Sequence, residues 1–290
     1  MEFRLLGPVE VRVEGRNIDL GHAKQRLILA ILVANAGRPV STQDLIERVW
    51  DDDPPATAVT GLYSYVSRLR RCLHDGGPEA ATMPLTSKSG SYRAEFDPFQ
   101  ADIHRFRALA ARARESASQG HAEKAVGLFR EAERLWRGQP LAGLPGRWAD
   151  AIRAELEQER HAQQIERITL ELKLGHHHQV IPELTSLASE YPLDERVAAL
   201  LMTAYYGSGR QAAALDVYRR TRNRLSDEIG IEPAEQLREL HQGILRHDPR
   251  LSPARLEPGY PGRVKPATTW SPGGEDGSPY VETLTGNPVA

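Results

Sequence analysis

Three helix-period segments followed by an alternating hairpin, then seven more helix-period segments joined by short breaks, predict a mostly α protein in two parts. The first part has the order of a winged helix-turn-helix. The second is an all-α domain of paired helices with tetratricopeptide-like character. At 290 residues the chain exceeds one ordinary domain, and the expected divisions are 1–98, 99–248 and a Pro/Gly-rich 249–290.

The opening alternates, with Phe3, Leu5, Val9, Val11 and Val13 separated by polar residues around Gly7-Pro8. One or two short strands are expected there, with a turn at Gly15 and a last strand residue near Leu20. From Ala23 to Ala36 a stripe of Leu27, Ile28, Ile31 and Leu32 marks the first helix, which Gly37-Arg38-Pro39 stops. Ser41 is placed to cap the second helix, whose apolar face is Leu45, Ile46, Val49 and Trp50. The run Asp51-Asp52-Asp53-Pro54-Pro55 ends it. Residues 56–74 form a third, longer helix, and after Gly76-Gly77-Pro78 two strands are expected around Met83–Thr86 and Ser91–Phe96.

The second part reads as helices at 101–118, 121–136, 147–174, 177–190, 194–207, 210–225 and 233–246, and their short connections favour antiparallel neighbours. Ala198, Ala204, Tyr205, Gly209, Ala213 and Ala214, with Leu215 and Tyr218 filling the groove, resemble a tetratricopeptide unit of about 34 residues. Such pairs stack into a curved surface suited to holding other proteins. From Pro249 onward the chain carries 8 prolines and 6 glycines and few large apolar residues, so a mostly disordered, inert tail is expected.

Composition excludes several classes. No stretch approaches the roughly 18 apolar residues of a membrane helix, and the opening lacks the order of a secretory signal, so a cytoplasmic protein at the nucleoid is expected. Cys72 is the single cysteine, which rules out an internal disulfide and a thiolate metal cage. His176-His177-His178 face different ways on a helix and lack acidic partners at ligand spacing, so they read as an exposed helix start. No phosphate-binding glycine loop, His-Glu-x-x-His or dinucleotide fingerprint is present. Neither catalysis nor a cofactor is expected. The formal net charge is -2, yet residues 57–93 hold Arg68, Arg70, Arg71, Lys88 and Arg93 against Asp75 and Glu79. A focused basic patch therefore sits inside a nearly neutral chain.

The third helix carries the functional signal. Val59, Leu62, Val66, Leu69 and Leu73 recur every three or four residues and form its core side. The opposite arc holds Thr57, Thr60, Gly61, Ser64, Arg68 and Arg71, with Ser67 at its edge. A helix fits the major groove, where hydroxyls and guanidinium forks bond base edges or phosphates. Thr60, Ser64 and Arg68 are the leading base readers, and Arg71 divides between base and phosphate. Lys24 and Arg48 are candidates for phosphate contact or ordinary surface charge, and Thr57, Lys88 and Arg93 are backbone candidates, the last two on the wing. Tyr63 and Tyr65 read as packing or rim contacts. Arg70 lies near the buried side and is expected to pair within the protein. Gly61 costs roughly 1 kcal/mol of helix propensity, which fits close approach to a partner or simple tolerance.

Over residues 1–248 the chain resembles the antibiotic regulatory proteins of actinomycetes, activators of secondary-metabolite gene clusters. FRLLGPVEV, AKQRLILAILVANAGRPVSTQDLIERVW and YVSRLRRCL are similar to winged-helix output domains of two-component regulators. LWRGQPLAGLP, YPLDERVAALLMTAYYGSGRQAAALDVYRRTRNRL and DEIGIEPAEQLRELHQGIL resemble the family's bacterial transcriptional activation domain. The wing, TSKSGSYRAEF, departs from a Thr-x-x-x-Gly-Tyr-x-Leu form by Ser91 between Gly90 and Tyr92. The resemblance implies Thr60, Ser64, Ser67, Arg68 and Arg71 as the DNA-facing set. It also implies two protomers in tandem on promoter direct repeats, and recruitment of RNA polymerase through its principal sigma factor and its alpha subunit. A small member without receiver, nucleotide-binding or sensor additions is expected. Promoter blocking and a non-catalytic protein scaffold are the alternatives.

Overall fold

The computed structural model describes residues 1–35, 37–75, 85–88, 90–248 and 251. The expected disordered tail therefore lies, Leu251 apart, outside the described residues. Alternating apolar residues at the start give β1 (Glu2–Arg4) and β2 (Glu10–Val13), and β3 (Arg16–Ile18) completes an antiparallel meander in sequence order. Phe3 stands opposite Val11, and Val11 opposite Ile18. Three strands thus occur where alternation predicts one or two. Arg16 and Asn17 hide the third, and Glu14 and Gly15 make its turn at φ of 48° and 81°.

α1 (Ala23–Ala34), α2 (Thr42–Trp50) and α3 (Ala58–Asp75) follow. Ser41 Oγ accepts from the Asp44 N–H at 2.9 Å, the cap expected for α2, worth about 1 kcal/mol. The hairpin is β5 (Leu85–Lys88) with β6 (Ser91–Ala94); β6 begins where expected and ends two residues early, and β5 runs two residues past Thr86, while Met83 and Pro84 lie outside the described residues. A two-residue β4 (Val40–Ser41), not foreseen, pairs with β6 so that the sheet runs β4-β6-β5. That pairing seats the wing beside the start of α2.

α3 buries Leu62, Val66, Leu69 and Leu73, as its periodicity predicts, together with Ala58. Each leucine buried there stabilises the fold by about 1.5–3 kcal/mol. Val59 does not belong to this core: it is 45% exposed. At 3.6 residues per turn it falls at the margin of the stripe, roughly 60° from its centre, and in the first turn the smaller Ala58 makes the buried contact instead.

The helical part comprises α4 (Asp102–Ser118), α5 (Ala122–Glu133), α6 (Arg147–Lys173), α7 (His177–Glu190), α8 (Glu195–Gly207), α9 (Gln211–Arg224) and α10 (Glu235–Leu245). These lie near the predicted ranges, and Ala198, Ala204 and Ala214 are buried between helices. A close approach between helices lies at Gly207, where a Cβ would sit 2.5 Å from His177 Nδ1. His177 is therefore packed rather than part of an exposed helix start, and burial beside His178 and His176 lowers its pKa.

Met1–Pro253 forms one compact unit with two hydrophobic cores. The first runs from Phe3 through α3 and α4 to Leu156, and the second from Ile165 to Ile244. They divide within the long α6, so the winged helix shares its core with the first helices of the helical part. Backbone bonds complete this junction: Arg137, Leu141 and Ala142 N–H groups donate to the Leu6, Leu5 and Gly7 carbonyls at 2.8, 3.0 and 3.2 Å.

Candidate nucleic-acid interface

α3 is anchored on one side and bare on the other. Thr57, Thr60, Ser64, Ser67, Arg68 and Arg71 are all exposed. Among the described residues Arg68 and Arg71 have no hydrogen-bond or ion-pair partner, so both guanidinium forks are available to a ligand. Ser64 Oγ donates to the Thr60 carbonyl at 3.0 Å, along its own helix. That bond uses its hydroxyl proton and leaves the oxygen free to accept. Arg70 instead bonds the Leu85 carbonyl at 2.6 and 2.9 Å, the internal pairing expected of it, and ties α3 to the wing.

Trp50 links α2 to this helix. Its ring carries the Lys24 ammonium 4.6 Å from the centroid and lies 6.3 Å from Tyr65. A Cβ on Gly61 would meet Trp50 at 3.6 Å, an ordinary contact, so packing does not demand glycine there. What Gly61 provides is a low helix surface. Lys24 is thereby held close to α3 by a cation–π contact, a placement that sequence spacing does not reveal.

The wing is held by backbone. The Thr42 N–H and hydroxyl donate to the Gly90 carbonyl at 2.8 and 2.9 Å, and Gly90 takes φ 74°. Ser91, the departure from the family form, pairs in register with both Lys88 and Ser41. Arg93 is exposed and engages Glu95, just past the end of the same strand. The Lys88 side chain lies outside the described residues. Arg48 is turned elsewhere: half-buried, it lines a cleft with Asn35, Arg107, Trp148 and Glu155, at the helical part.

Two large exposed side chains lie on the flank of α3, between its buried and its bare sides. Val59, read as core, and Tyr63, read as packing or rim, are 45% and 56% exposed. Tyr65 is half-buried against Trp50. Cys72 is half-buried too, and among the described residues no group of three or more His, Cys, Asp or Glu could hold a metal ion. No helix among them is long and apolar enough to cross a membrane.

Residues 101–245 match the model of the bacterial transcriptional activator domain, and residues 15–94 that of the transcriptional regulatory protein C-terminal domain. The regulatory protein DnrI of Streptomyces peucetius is 31% identical over 259 residues, covering 87% of this chain and 94% of DnrI. The chain belongs to the antibiotic regulatory protein family. The regulatory protein AfsR of Streptomyces coelicolor is 38% identical over 253 residues, which are 87% of this chain and 25% of AfsR. The chain thus spans a quarter of that relative. The solved structure of Mycobacterium tuberculosis EmbR in complex with a low affinity phosphopeptide superimposes with a TM-score of 0.81 at 34% identity, over 88% of this chain and 66% of that one. As a member of that family, the chain carries a transcriptional regulatory protein C-terminal domain ahead of a bacterial transcriptional activator domain.

Proposed function

We propose that the chain activates transcription of a secondary-metabolite gene cluster by placing its helical domain, residues 99–248, beside a promoter held by residues 1–98. α3 enters the major groove, where Thr60, Ser64 and Arg68 read base edges. Ser67 and Arg71 complete the set, Arg71 shared between base and phosphate. Lys24, Thr57, Lys88 and Arg93 meet the backbone and set register. Two protomers in tandem on direct repeats present the helical domains to RNA polymerase, through its principal sigma factor and its alpha subunit. A favourable contact of only about 1.4 kcal/mol raises polymerase occupancy roughly tenfold while polymerase is limiting.

The observation that carries this reading is a pair of guanidiniums, Arg68 and Arg71, without partners among the described residues, on the bare side of a helix anchored by five buried side chains. The test is selection of binding sites from random duplex DNA with the full chain. Arg68→Ala should weaken binding to the selected site by about 1–3 kcal/mol and relax preference at one base position. Arg71→Ala should reduce the salt dependence by about one phosphate equivalent if its phosphate share dominates. A selected motif and affinity unchanged by Arg68→Ala would contradict the assignment.

A further inference from the structure

Six large hydrophobic side chains are exposed among the described residues, and two of them, Val59 and Tyr63, sit one turn apart on α3. Single exposed hydrophobics are common and call for no explanation, but here two are adjacent, on the helix already singled out by its unpartnered arginines. Tyr63 lies one turn before Ser67 and borders the hydroxyl row, and Val59 lies one turn before Tyr63 on the same flank of the helix. Val59 also lies in the first turn, and the N-terminal residues of such a helix approach base edges most closely.

In the major groove one apolar feature distinguishes bases, the 5-methyl group of thymine. The geometry points to Val59 and Tyr63 as a thymine-methyl reader alongside the polar readers, an assignment that rests on α3 being the DNA-facing helix. Thr60, Ser64 and Arg68 select hydrogen-bonding edges. Val59 and Tyr63 add preference for thymine at the flanking positions, where uracil offers the same hydrogen-bonding groups without the methyl. Leaving Val59 and Tyr63 exposed in the free protein is then the counterpart of burying them on DNA.

Replacing thymine by deoxyuridine, one position at a time, in a duplex selected from a random library by the full chain isolates this contact. At one or two positions the replacement should weaken binding by about fourfold, the worth of one buried methyl. Val59→Ala or Tyr63→Ala should bind the thymine duplex more weakly and lose the thymine-over-uracil difference at its own position, while Arg68→Ala keeps that difference. Both substituted side chains are exposed, so thermal unfolding should be unchanged, and that measurement guards against a folding defect. Specific binding that is indifferent to every thymine-to-uracil change overturns the methyl reader and leaves DNA reading by α3 intact. A difference that persists in both Val59→Ala and Tyr63→Ala does the same. Failure of the library to yield any preferred sequence overturns DNA reading and the methyl reader together.

Discussion

Asp102 shows how much of the fold one residue can hold. Its carboxylate accepts the N–H groups of Leu5, Leu6 and Ile103 at 2.7, 3.0 and 2.8 Å, with an Arg137 nitrogen at 3.5 Å. Burial pushes its carboxyl above the usual range, against the pull of those N–H groups and Arg137. Asp102→Ala leaves the Leu5 and Leu6 donors buried and unsatisfied, so urea unfolding should show a loss of about 2–5 kcal/mol. A loss under about 0.5 kcal/mol, the range of an ordinary surface change, would remove Asp102 from this role. Its partners lie 97 and 96 residues away, which is why nothing local in the sequence announces it. Leu62, Val66, Leu69 and Leu73 were legible because periodicity alone determines which way they face. Val59 was not, since periodicity gives an angle but not the point along the helix at which its neighbours stop covering it. Arg68 and Arg71 were legible as exposed cations, whereas the seat of Lys24 on Trp50 depends on how α1 and α2 pack.

At the scale of elements, helices were the legible part, with α7 at His177–Glu190 matching its predicted range, because amphipathic periodicity is local. The strands that alternation defined poorly are short: β3 lies between the expected turn at Gly15 and Leu20, and β4, which was not expected, exists only through its pairing with β6. The run LWRGQPLAGLP forms no regular element, but its Arg137, Leu141 and Ala142 amides bond the segment after β1. Late in the chain, α9 and α10 meet through Tyr218 and His241, stacked at 3.9 Å and 12°. Burial lowers the His241 pKa, so folding favours the neutral ring. Its contribution is present above the unfolded imidazole value of about 6.5 and is lost as pH falls through the lower folded value. Thermal unfolding at about pH 7.5 and about pH 5.5 should show a smaller acid-induced drop for His241→Phe, which keeps the stack without the proton. An equal drop in both proteins would assign the acid sensitivity to other groups.

Across the whole molecule, the divide between cores falls inside α6 rather than at the sequence junction near residue 98. α6 spans 27 residues, about 40 Å, and contributes Leu156 to one core and Ile165 to the other. The Arg147 N–H at its start bonds the Asp51 carboxylate at 3.1 Å, and the Arg147 guanidinium pairs with Asp51 and Asp52. Asp51 itself closes α2 at φ 53°, a conformation uncommon for aspartate. The winged helix and α4–α6 are thus built on shared hydrophobic packing and shared hydrogen bonds, so truncation near residue 100 would expose that core and is a poor test of the separate roles. Sequence patterning showed two parts but not this continuity, because it comes from contacts between segments far apart in the chain. Under the function proposed above, that continuity would hold the helical domain in a defined place beside the promoter. The most direct test is a transcription titration with purified polymerase holoenzyme on a promoter carrying the selected sites, comparing the intact chain with Arg68→Ala. Transcript should rise with the intact chain and stay at the basal level with Arg68→Ala, whereas site-specific binding that leaves transcript unchanged or lowers it would contradict activation by recruitment.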